Sequence, residues 1–232
     1  DLKLSRGLGD VYKRQCMVKL KICCINSHDE AKTAISVGAD LLGLVADMPS
    51  GEGMIEDHKI REIAASIKTF NNSVLLTSRT DAESIIEHHK ETITSHIQIV
   101  DYIDVKNYQE IRKSLPDIKL IQVVHVEDES SYSLAMNFSN YVDFILLDSG
   151  KPSAKKRTLG GTGDTHNWNI SKKIVRDCSI PVYLAGGINH SNVVEAIQKV
   201  KPYGIDLCTG LRTNNKLDKN KLNVFMEAIK RA

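Results

Sequence analysis

Two side chains at the ends of apolar segments have the chemistry of an acid–base pair. Cys23 ends the alternating segment that begins at residue 18, and Asp148 ends the run Ile145-Leu146-Leu147-Asp148. A carboxyl group is costly to bury at the end of an apolar strand unless it is paired or used, whereas a lone cysteine is more often a core thiol. If the fold brings them together, however, the two groups suit general acid and general base catalysis.

Glycines cluster in the last third of the chain, where each group follows an apolar segment. Glycine lets backbone N–H groups approach an anion closely, and barrel proteins often bind phosphate in the loops after strands seven and eight. Tight turns are the alternative explanation. Together with the acid–base pair, these segments indicate a sugar phosphate as substrate. The residues that we predict to bind phosphate are Gly161, Thr162, Gly163, Gly186, Gly187 and Gly210.

The elements that must position these residues alternate regularly along the chain. Eight mostly apolar segments, as expected of parallel strands buried on both faces, are separated by amphipathic helical patterns. The first helix begins with a capping box, in which Ser27 is the N-cap and Glu30 lies three residues later. The predicted strands are residues 18–25, 40–46, 73–78, 96–102, 119–126, 143–149, 181–185 and 204–208.

Eight strand–helix units predict an α/β fold, a single-domain (β/α)8 TIM barrel over residues 17–232, with the active site at the carboxyl ends of the strands. A doubly wound open sheet is the alternative. Its glycine-rich phosphate loop should follow the first strand, and here the glycines come late. Residues 1–16 lack periodicity and an apolar signal region. We interpret them as an upstream extension, non-native or disordered, with a basic binding arm as the alternative.

Composition excludes several classes of protein. The 232 residues carry 31 Lys+Arg and 29 Asp+Glu, so no strong field favours nucleic acid or an anionic membrane. No apolar run approaches the ~18 residues that span a bilayer. The cysteines are odd in number without a C-x-x-C pair, so we expect mostly buried, reduced thiols in a cytoplasmic protein. These cysteines are Cys16, Cys23, Cys24, Cys178 and Cys208.

Several blocks occur in the order and register of one enzyme family. They are Lys21-Ile22-Cys23, Asp29-Glu30-Ala31, Gly38-Ala39-Asp40, Leu146-Leu147-Asp148-Ser149, Gly160-Gly161-Thr162-Gly163 with Trp168, Leu184-Ala185-Gly186-Gly187 with Asn192-Val193, and Asp206 through Gly210. Over essentially all of residues 17–232 the chain resembles phosphoribosylanthranilate isomerase.

This resemblance implies an Amadori rearrangement in tryptophan biosynthesis that needs neither metal nor organic cofactor. A phosphoribosyl amine opens to a Schiff base, and loss of the C2 proton gives an aminodeoxyribulose phosphate. Asp148 would be the general acid that protonates the ring oxygen, and Cys23 the general base that removes the C2 proton. A thiol must be deprotonated for that role, so we expect the site to lower the pKa of Cys23.

Four positions depart from the family pattern. A glycine next to the base is Cys24, and the loop at Met48-Pro49-Ser50-Gly51-Glu52-Gly53 lacks the arginine that contacts the anthranilate carboxylate. The run Q-L-H-G reads Gln98-Ile99-Val100-Asp101, and a glutamate is replaced by Arg212. The loss of an arginine removes a bidentate clamp.

Other side chains could compensate for the missing arginine. Arg79 and Arg212 are candidates for binding an anionic group at the mouth, although a solvated loop position is the alternative for each. His125 is a candidate proton shuttle, with a hydrogen-bonded barrel histidine as the alternative. His166 lies in a segment that could close over substrate, and Trp168 is interpreted as packing.

Three functions remain open at this point. The first is phosphoribosylanthranilate isomerase with a rearranged carboxylate site. The second is isomerisation of a different phosphorylated aminosugar or aldose on the same barrel, and the third is a non-catalytic phosphosugar-binding barrel. Fold alone does not separate them, and the sequence leaves open whether the protein is a monomer or a homodimer.

Overall fold

The computed structural model describes residues 18–68, 70–150 and 165–232, and these form a closed barrel of eight parallel strands, each followed by a helix. The predicted barrel is confirmed, and the open sheet is excluded because β1 pairs with β8. The extension at residues 1–16 lies outside the described residues. The strands are β1 (Lys19–Ile22), β2 (Leu41–Val45), β3 (Ser73–Thr77), β4 (His96–Ile99), β5 (Lys119–His125), β6 (Phe144–Asp148), β7 (Val182–Leu184) and β8 (Gly204–Leu207).

The helices surround the barrel in the same order. A short hairpin of β9 (Arg212–Thr213) and β10 (Lys216–Leu217) precedes the last of them. None of the helices in the described ranges is long and apolar enough to cross a membrane. The helices are α1 (His28–Ser36), α2 (Asp57–Ser66), α3 (Ala82–Thr92), α4 (Val105–Ser114), α5 (Ser130–Phe138), α6 (Trp168–Asp177), α7 (Val193–Val200) and α8 (Lys219–Ile229).

Alternation along each strand divides the apolar residues into two cores. Successive side chains of a strand point to opposite faces, so Leu20 and Ile22 of β1 pack towards the helices. Cys23 belongs to the second cluster, inside the barrel. Lys21, two residues before Cys23, shares this inward face and is fully buried. The inward face of β1 therefore presents polar chemistry to the centre of the barrel.

The first helix starts as the capping pattern predicts. The Oγ of Ser27 accepts a hydrogen bond from the backbone N–H of Glu30 at 3.2 Å. The Glu30 carboxylate turns back to accept from the backbone N–H of Asn26 at 3.1 Å. Glu30 is also buried, and its carboxylate forms an ion pair with Arg212.

A disulfide joins the strands that close the barrel. Cys24, just after β1, is bonded to Cys208, just after β8, with 5.8 Å between their Cα atoms. The expectation of reduced thiols is therefore wrong for these two residues and is confirmed for Cys23 and Cys178, which are free. The sequence hid the pairing because the two cysteines become neighbours only when β1 meets β8.

Candidate active site

A cavity of about 790 Å³, including the part open to solvent, lies at the carboxyl ends of the strands. Its size is typical of a small-molecule site. Cys23 from the end of β1 and Asp148 from the end of β6 both line it, together with Gln98 of β4 and Asp206 of β8. The fold thus brings the two predicted acid–base residues to one cavity.

The Cys23 thiol packs closely against the backbone of strand β2. Gly43 on the neighbouring strand β2 leaves the necessary room, because a Cβ there would lie 2.6 Å from the Cys23 Sγ. Burial raises the pKa of Cys23 to about 11, and the charge of Lys21 opposes this rise. The expectation of a lowered pKa is wrong, because removal of the thiol from water outweighs the nearby ammonium.

Asp148 is half-buried at the cavity and has the properties of a general acid. It is the last residue of β6, and its Oδ1 accepts a hydrogen bond from the backbone N–H of Ser149 at 2.8 Å. Burial raises the pKa of Asp148, while the charges of His125 and Lys21 act in the opposite direction. A raised pKa favours the protonated carboxyl, which is the form that donates a proton.

The loop after β7 supplies the predicted glycines. Gly186 and Gly187 have φ values of 76° and 64° and line the cavity. A Cβ on Gly186 would lie 2.8 Å from the backbone nitrogen of Ser149, so the loop after β7 packs on the residue that follows Asp148. The side chain of Asn192, the N-cap of α7, donates to the Gly187 carbonyl at 2.9 Å and fixes the approach to this helix.

The other predicted phosphate residues are placed differently. Gly210 lies behind the cavity wall, where a Cβ would meet the Ile188 carbonyl at 2.9 Å, and its neighbour Thr209 forms the lining instead. Gly161, Thr162 and Gly163 lie outside the described residues.

Both candidate arginines lie away from the cavity lining. The Arg212 guanidinium is buried and donates to both carboxylate oxygens of Glu30, each at 3.1 Å. The Arg79 guanidinium donates to the Ser84 carbonyl at 2.9 Å. The expected ligand contact of Arg212 is corrected, because a buried carboxylate already uses its two-pronged donor face.

The candidate histidines also have local partners. The Nε2 of His125 lies 3.0 Å from the Val100 carbonyl, and the side chain is buried. The Nε2 of His166 lies 2.7 Å from the Ser171 Oγ, at the start of α6. Neither residue lines the cavity. Trp168 packs in the outer core, as interpreted from the sequence.

Polar groups that the sequence analysis did not select lie in the cavity lining, as Gln98 and Asp206 do, or directly behind it, as Lys21 does. Lys21 is fully buried, and its Nζ donates to the Asp206 Oδ2 at 2.7 Å. Among the described residues, neither the Gln98 Oε1 nor the Asp206 Oδ1 has a hydrogen-bond partner, although both atoms are buried. These residues could have been found in the sequence as polar residues at inward positions of largely apolar strands. Lys21 and Asp206 are register partners across β1 and β8.

The described lining is acidic. It includes Glu52, Asp148 and Asp206, and no lysine or arginine among the described residues lines the cavity. Within the same ranges, no group of three or more His, Cys, Asp or Glu side chains is close enough to hold a metal ion. The contacts available to an anionic ligand in this part of the cavity are therefore backbone N–H groups and uncharged side chains such as Thr209.

The sequence is similar to that of known proteins from one enzyme family. Residues 20–228 match the family described as N-(5'phosphoribosyl)anthranilate (PRA) isomerase. N-(5'-phosphoribosyl)anthranilate isomerase 2 of Methanosarcina mazei is 35% identical over 199 residues, which cover 85% of this chain and 87% of that protein. The isomerase of Methanocaldococcus jannaschii is 30% identical over 227 residues, covering 93% and 98%.

Solved structures show the same fold. The crystal structure of phosphoribosyl anthranilate isomerase from Thermotoga maritima aligns with a TM-score of 0.79 at 26% identity, covering 93% of this chain and all of that one. A structure of the isomerase in complex with reduced 1-(o-carboxyphenylamino)-1-deoxyribulose 5-phosphate aligns at 0.76, with 24% identity and coverage of 93% and 100%. The family match spans most of the chain and includes the positions of Cys23 and Asp148. The chain therefore belongs to the N-(5'-phosphoribosyl)anthranilate isomerase family.

Proposed function

We propose that this protein isomerises N-(5-phosphoribosyl)anthranilate to the aminodeoxyribulose phosphate in tryptophan biosynthesis, with Asp148 as general acid and Cys23 as general base. One observation carries the assignment of roles: a carboxyl group whose pKa is raised and a thiol line the same cavity, at the ends of β6 and β1.

The two residues suit successive proton transfers. The protonated Asp148 carboxyl gives its proton to the ribose ring oxygen while the C1–O bond breaks and the anthranilate nitrogen forms a C=N bond. The Cys23 thiolate then takes the C2 proton, and the electrons of that C–H bond form the C1–C2 double bond and neutralise the iminium nitrogen. The resulting enol becomes the ketone by proton shift. Both catalytic groups handle only protons.

The phosphate would be held by backbone N–H groups after β7 and β8. Gly186 and Gly187 line the cavity in conformations that favour glycine, and Thr209 completes this side. The helix α7 follows the first of these loops, and a helix N-terminus favours an anion. These backbone N–H groups would supply the hydrogen bonds to the phosphate, because the described lining contains carboxyl groups and no lysine or arginine.

The loop after β2 favours one second candidate. It presents Ser50, Gly51 and Glu52 to the cavity, and a glutamate would repel the carboxylate of an anthranilate ring placed beside it. Isomerisation of a phosphorylated aminosugar without that carboxylate is therefore the second candidate. A direct comparison of the two substrate types under the same conditions separates them by kcat/KM.

We further infer a cytoplasmic protein that acts without nucleic acid or membrane partners. Ionised phosphate esters do not cross bilayers unaided, so the substrate must be used where it is made. Disulfides in that compartment are typically transient, catalytic or redox-sensing. We therefore expect Cys24–Cys208 to open with thiol reductants.

The roles of Cys23 and Asp148 are tested with the full chain and phosphoribosylanthranilate generated in situ, by the loss of its fluorescence. Because each residue supplies one proton-transfer step, we expect Cys23→Ala and Asp148→Asn each to lower kcat by about 10²–10⁴-fold. Cys178→Ala and Asp104→Asn are matched controls, since Cys178 is a free thiol elsewhere and Asp104 is exposed.

Each possible result is informative. If wild-type protein turns the substrate over and either variant keeps wild-type kcat, the corresponding role is wrong. If folded wild-type protein shows no turnover but accepts another phosphorylated aminosugar, the second candidate replaces the first.

A further inference from the structure

Lys21 occupies a position that packing alone does not explain. Its side chain has no exposed surface and lies inside the barrel, on the same face of β1 as Cys23. Lysine is almost never fully buried unless it is paired. A buried ion pair is also weak evidence for stability, since well-packed apolar residues of similar volume often serve as well.

The surroundings of Lys21 connect it to the base. From β8, Asp206 accepts a hydrogen bond from the Lys21 ammonium at 2.7 Å. From β1 itself, the Cys23 thiol lies close enough to Lys21 and Asp206 for both charges to act on its ionisation. From β6, Asp148 adds a further carboxyl that interacts with Asp206. Of these charged groups, only Lys21 favours the thiolate.

We propose that Lys21 is a positioning residue whose ammonium group stabilises the Cys23 thiolate during catalysis, and that Asp206 holds this ammonium group beside the thiol. This inference rests on the proposed role of Cys23. A thiolate at the buried Cys23 side chain would have little contact with water, and a fixed ammonium group compensates for that loss. Asp206 keeps the ammonium in the interior, at the cost of weakening its effect on the thiol.

The opposite signs of these two charges give a sharp test. In Lys21→Met the thiolate loses its counter-charge, whereas in Asp206→Asn the ammonium loses its own partner and acts more strongly on Cys23. The measured quantity is the rate of Cys23 alkylation by iodoacetamide as a function of pH, followed by mass spectrometry of the Cys23 peptide. This readout reports thiolate formation directly.

We expect the alkylation midpoint to rise by about one pH unit or more in Lys21→Met and to fall below the wild-type value in Asp206→Asn. At neutral pH the kcat of Lys21→Met should fall by about tenfold or more with little change in KM, and should partly recover as the pH is raised. The matched control is Lys19→Met, which removes a half-exposed lysine of the same strand that pairs with Asp40.

A variant that leaves Asp206 buried and unpaired could fail to fold. The double variant Lys21→Met/Asp206→Asn removes both charges, and its alkylation midpoint should lie between those of the wild type and Lys21→Met. Midpoints that do not move in Lys21→Met or in the double variant would overturn the proposal and leave Lys21 a structural residue.

Failure of this inference is distinguishable from failure of the proposed function. If Cys23 is not the base, Cys23→Ala keeps its activity, whereas the alkylation midpoint still moves when Lys21 is changed. If Cys23 is the base and Lys21 has no part in its ionisation, Cys23→Ala is inactive and the midpoint stays in place.

Discussion

At the position that follows Cys23, the proposed base, Cys24 has a left-handed backbone with φ of 63°. Most residues avoid this region because Cβ approaches the following carbonyl oxygen, while glycine does not. Cys24 is also bonded to Cys208, across the strands that close the barrel. One side chain thus carries an unfavourable backbone conformation and a covalent cross-link.

These two effects predict different results for the two cysteines. Cys208→Ser removes only the cross-link and should lower the free energy of unfolding by about 2–5 kcal/mol, since the disulfide closes a long loop. Cys24→Gly also removes the cross-link but relieves the backbone, so its loss should be smaller by about 1–2 kcal/mol. Urea unfolding of both variants measures the difference.

Cys178, a free cysteine outside the cavity lining, provides the control for this comparison. Cys178→Ser should unfold as the wild type does, and addition of a thiol reductant should destabilise only proteins that contain both Cys24 and Cys208. Equal losses in Cys24→Gly and Cys208→Ser would contradict the backbone argument.

At the scale of elements, a buried ion pair fastens α1 to the hairpin of β9 and β10. Glu30 in the first turn of α1 accepts from the Arg212 guanidinium through both oxygens and from the backbone N–H of Leu217 at 2.8 Å. The capping glutamate therefore fixes the segment that follows the β8 loop, on the phosphate side of the proposed site.

This geometry predicts a structural rather than a ligand-binding effect for Arg212. Arg212→Met leaves the Glu30 carboxylate buried without its charge partner and should lower the free energy of unfolding by about 3–5 kcal/mol. The double variant Arg212→Met/Glu30→Gln should recover part of that loss. Both are measured by denaturant unfolding, with steady-state kinetics on the folded protein.

Kinetics decide between the two interpretations of Arg212. Because the guanidinium lies outside the cavity lining, KM should change by less than about threefold, well under the effect of losing a direct charged contact. A large rise in KM without loss of stability would restore Arg212 as a substrate contact.

At the scale of the whole molecule, we expect two histidines to make stability depend on pH, the buried His96 and the half-buried His166. Burial lowers the pKa of His96 in β4 and of His166 before α6 to about 4. Between about pH 6.5 and pH 4, both histidines stay neutral in the folded protein. In the unfolded chain the same histidines become protonated near pH 6.5. Their contribution to stability is thus complete above about pH 6.5 and is lost as the pH falls towards 4.

We therefore expect the free energy of unfolding to decrease between pH 6.5 and 4.5, with each histidine contributing as much as roughly 3 kcal/mol across its full titration. His166→Gln should flatten the dependence, whereas the exposed His190→Gln should leave it unchanged. The same slope in His166→Gln as in the wild type would exclude His166 as a source.

The sequence predicted the fold because most strands are largely apolar and several helices have start signals, such as the Ser27 cap of α1 and the Asp81 cap of α3. The predicted strands run past the observed ends: residues 96–102 were predicted, whereas β4 is His96–Ile99. Val100 is still buried and lines the cavity, so the apolar pattern continues past the last paired residue of β4. At this position, burial of the side chain reflects its place in the cavity wall and does not show that the residue pairs with a neighbouring strand.

The site could be predicted only where one strand end carried the information. Cys23 and Asp148 were found because each ends an apolar run. Lys21, Asp206 and the ion pair of Arg212 were missed because their partners lie 182 or more residues away in the sequence. Such pairs are determined by closure of the barrel, which no local pattern records.

The disulfide also determines how the protein behaves after a single proteolytic cut. Residues 24–208 form a covalent circle through the bond between Cys24 and Cys208, and the circle contains seven of the eight barrel strands, from β2 to β8. One proteolytic cut inside it opens the circle without releasing a fragment, because the sulfur bond still joins the two pieces. A nicked, oxidised molecule would migrate in a denaturing gel as a single species and separate into two only after reduction.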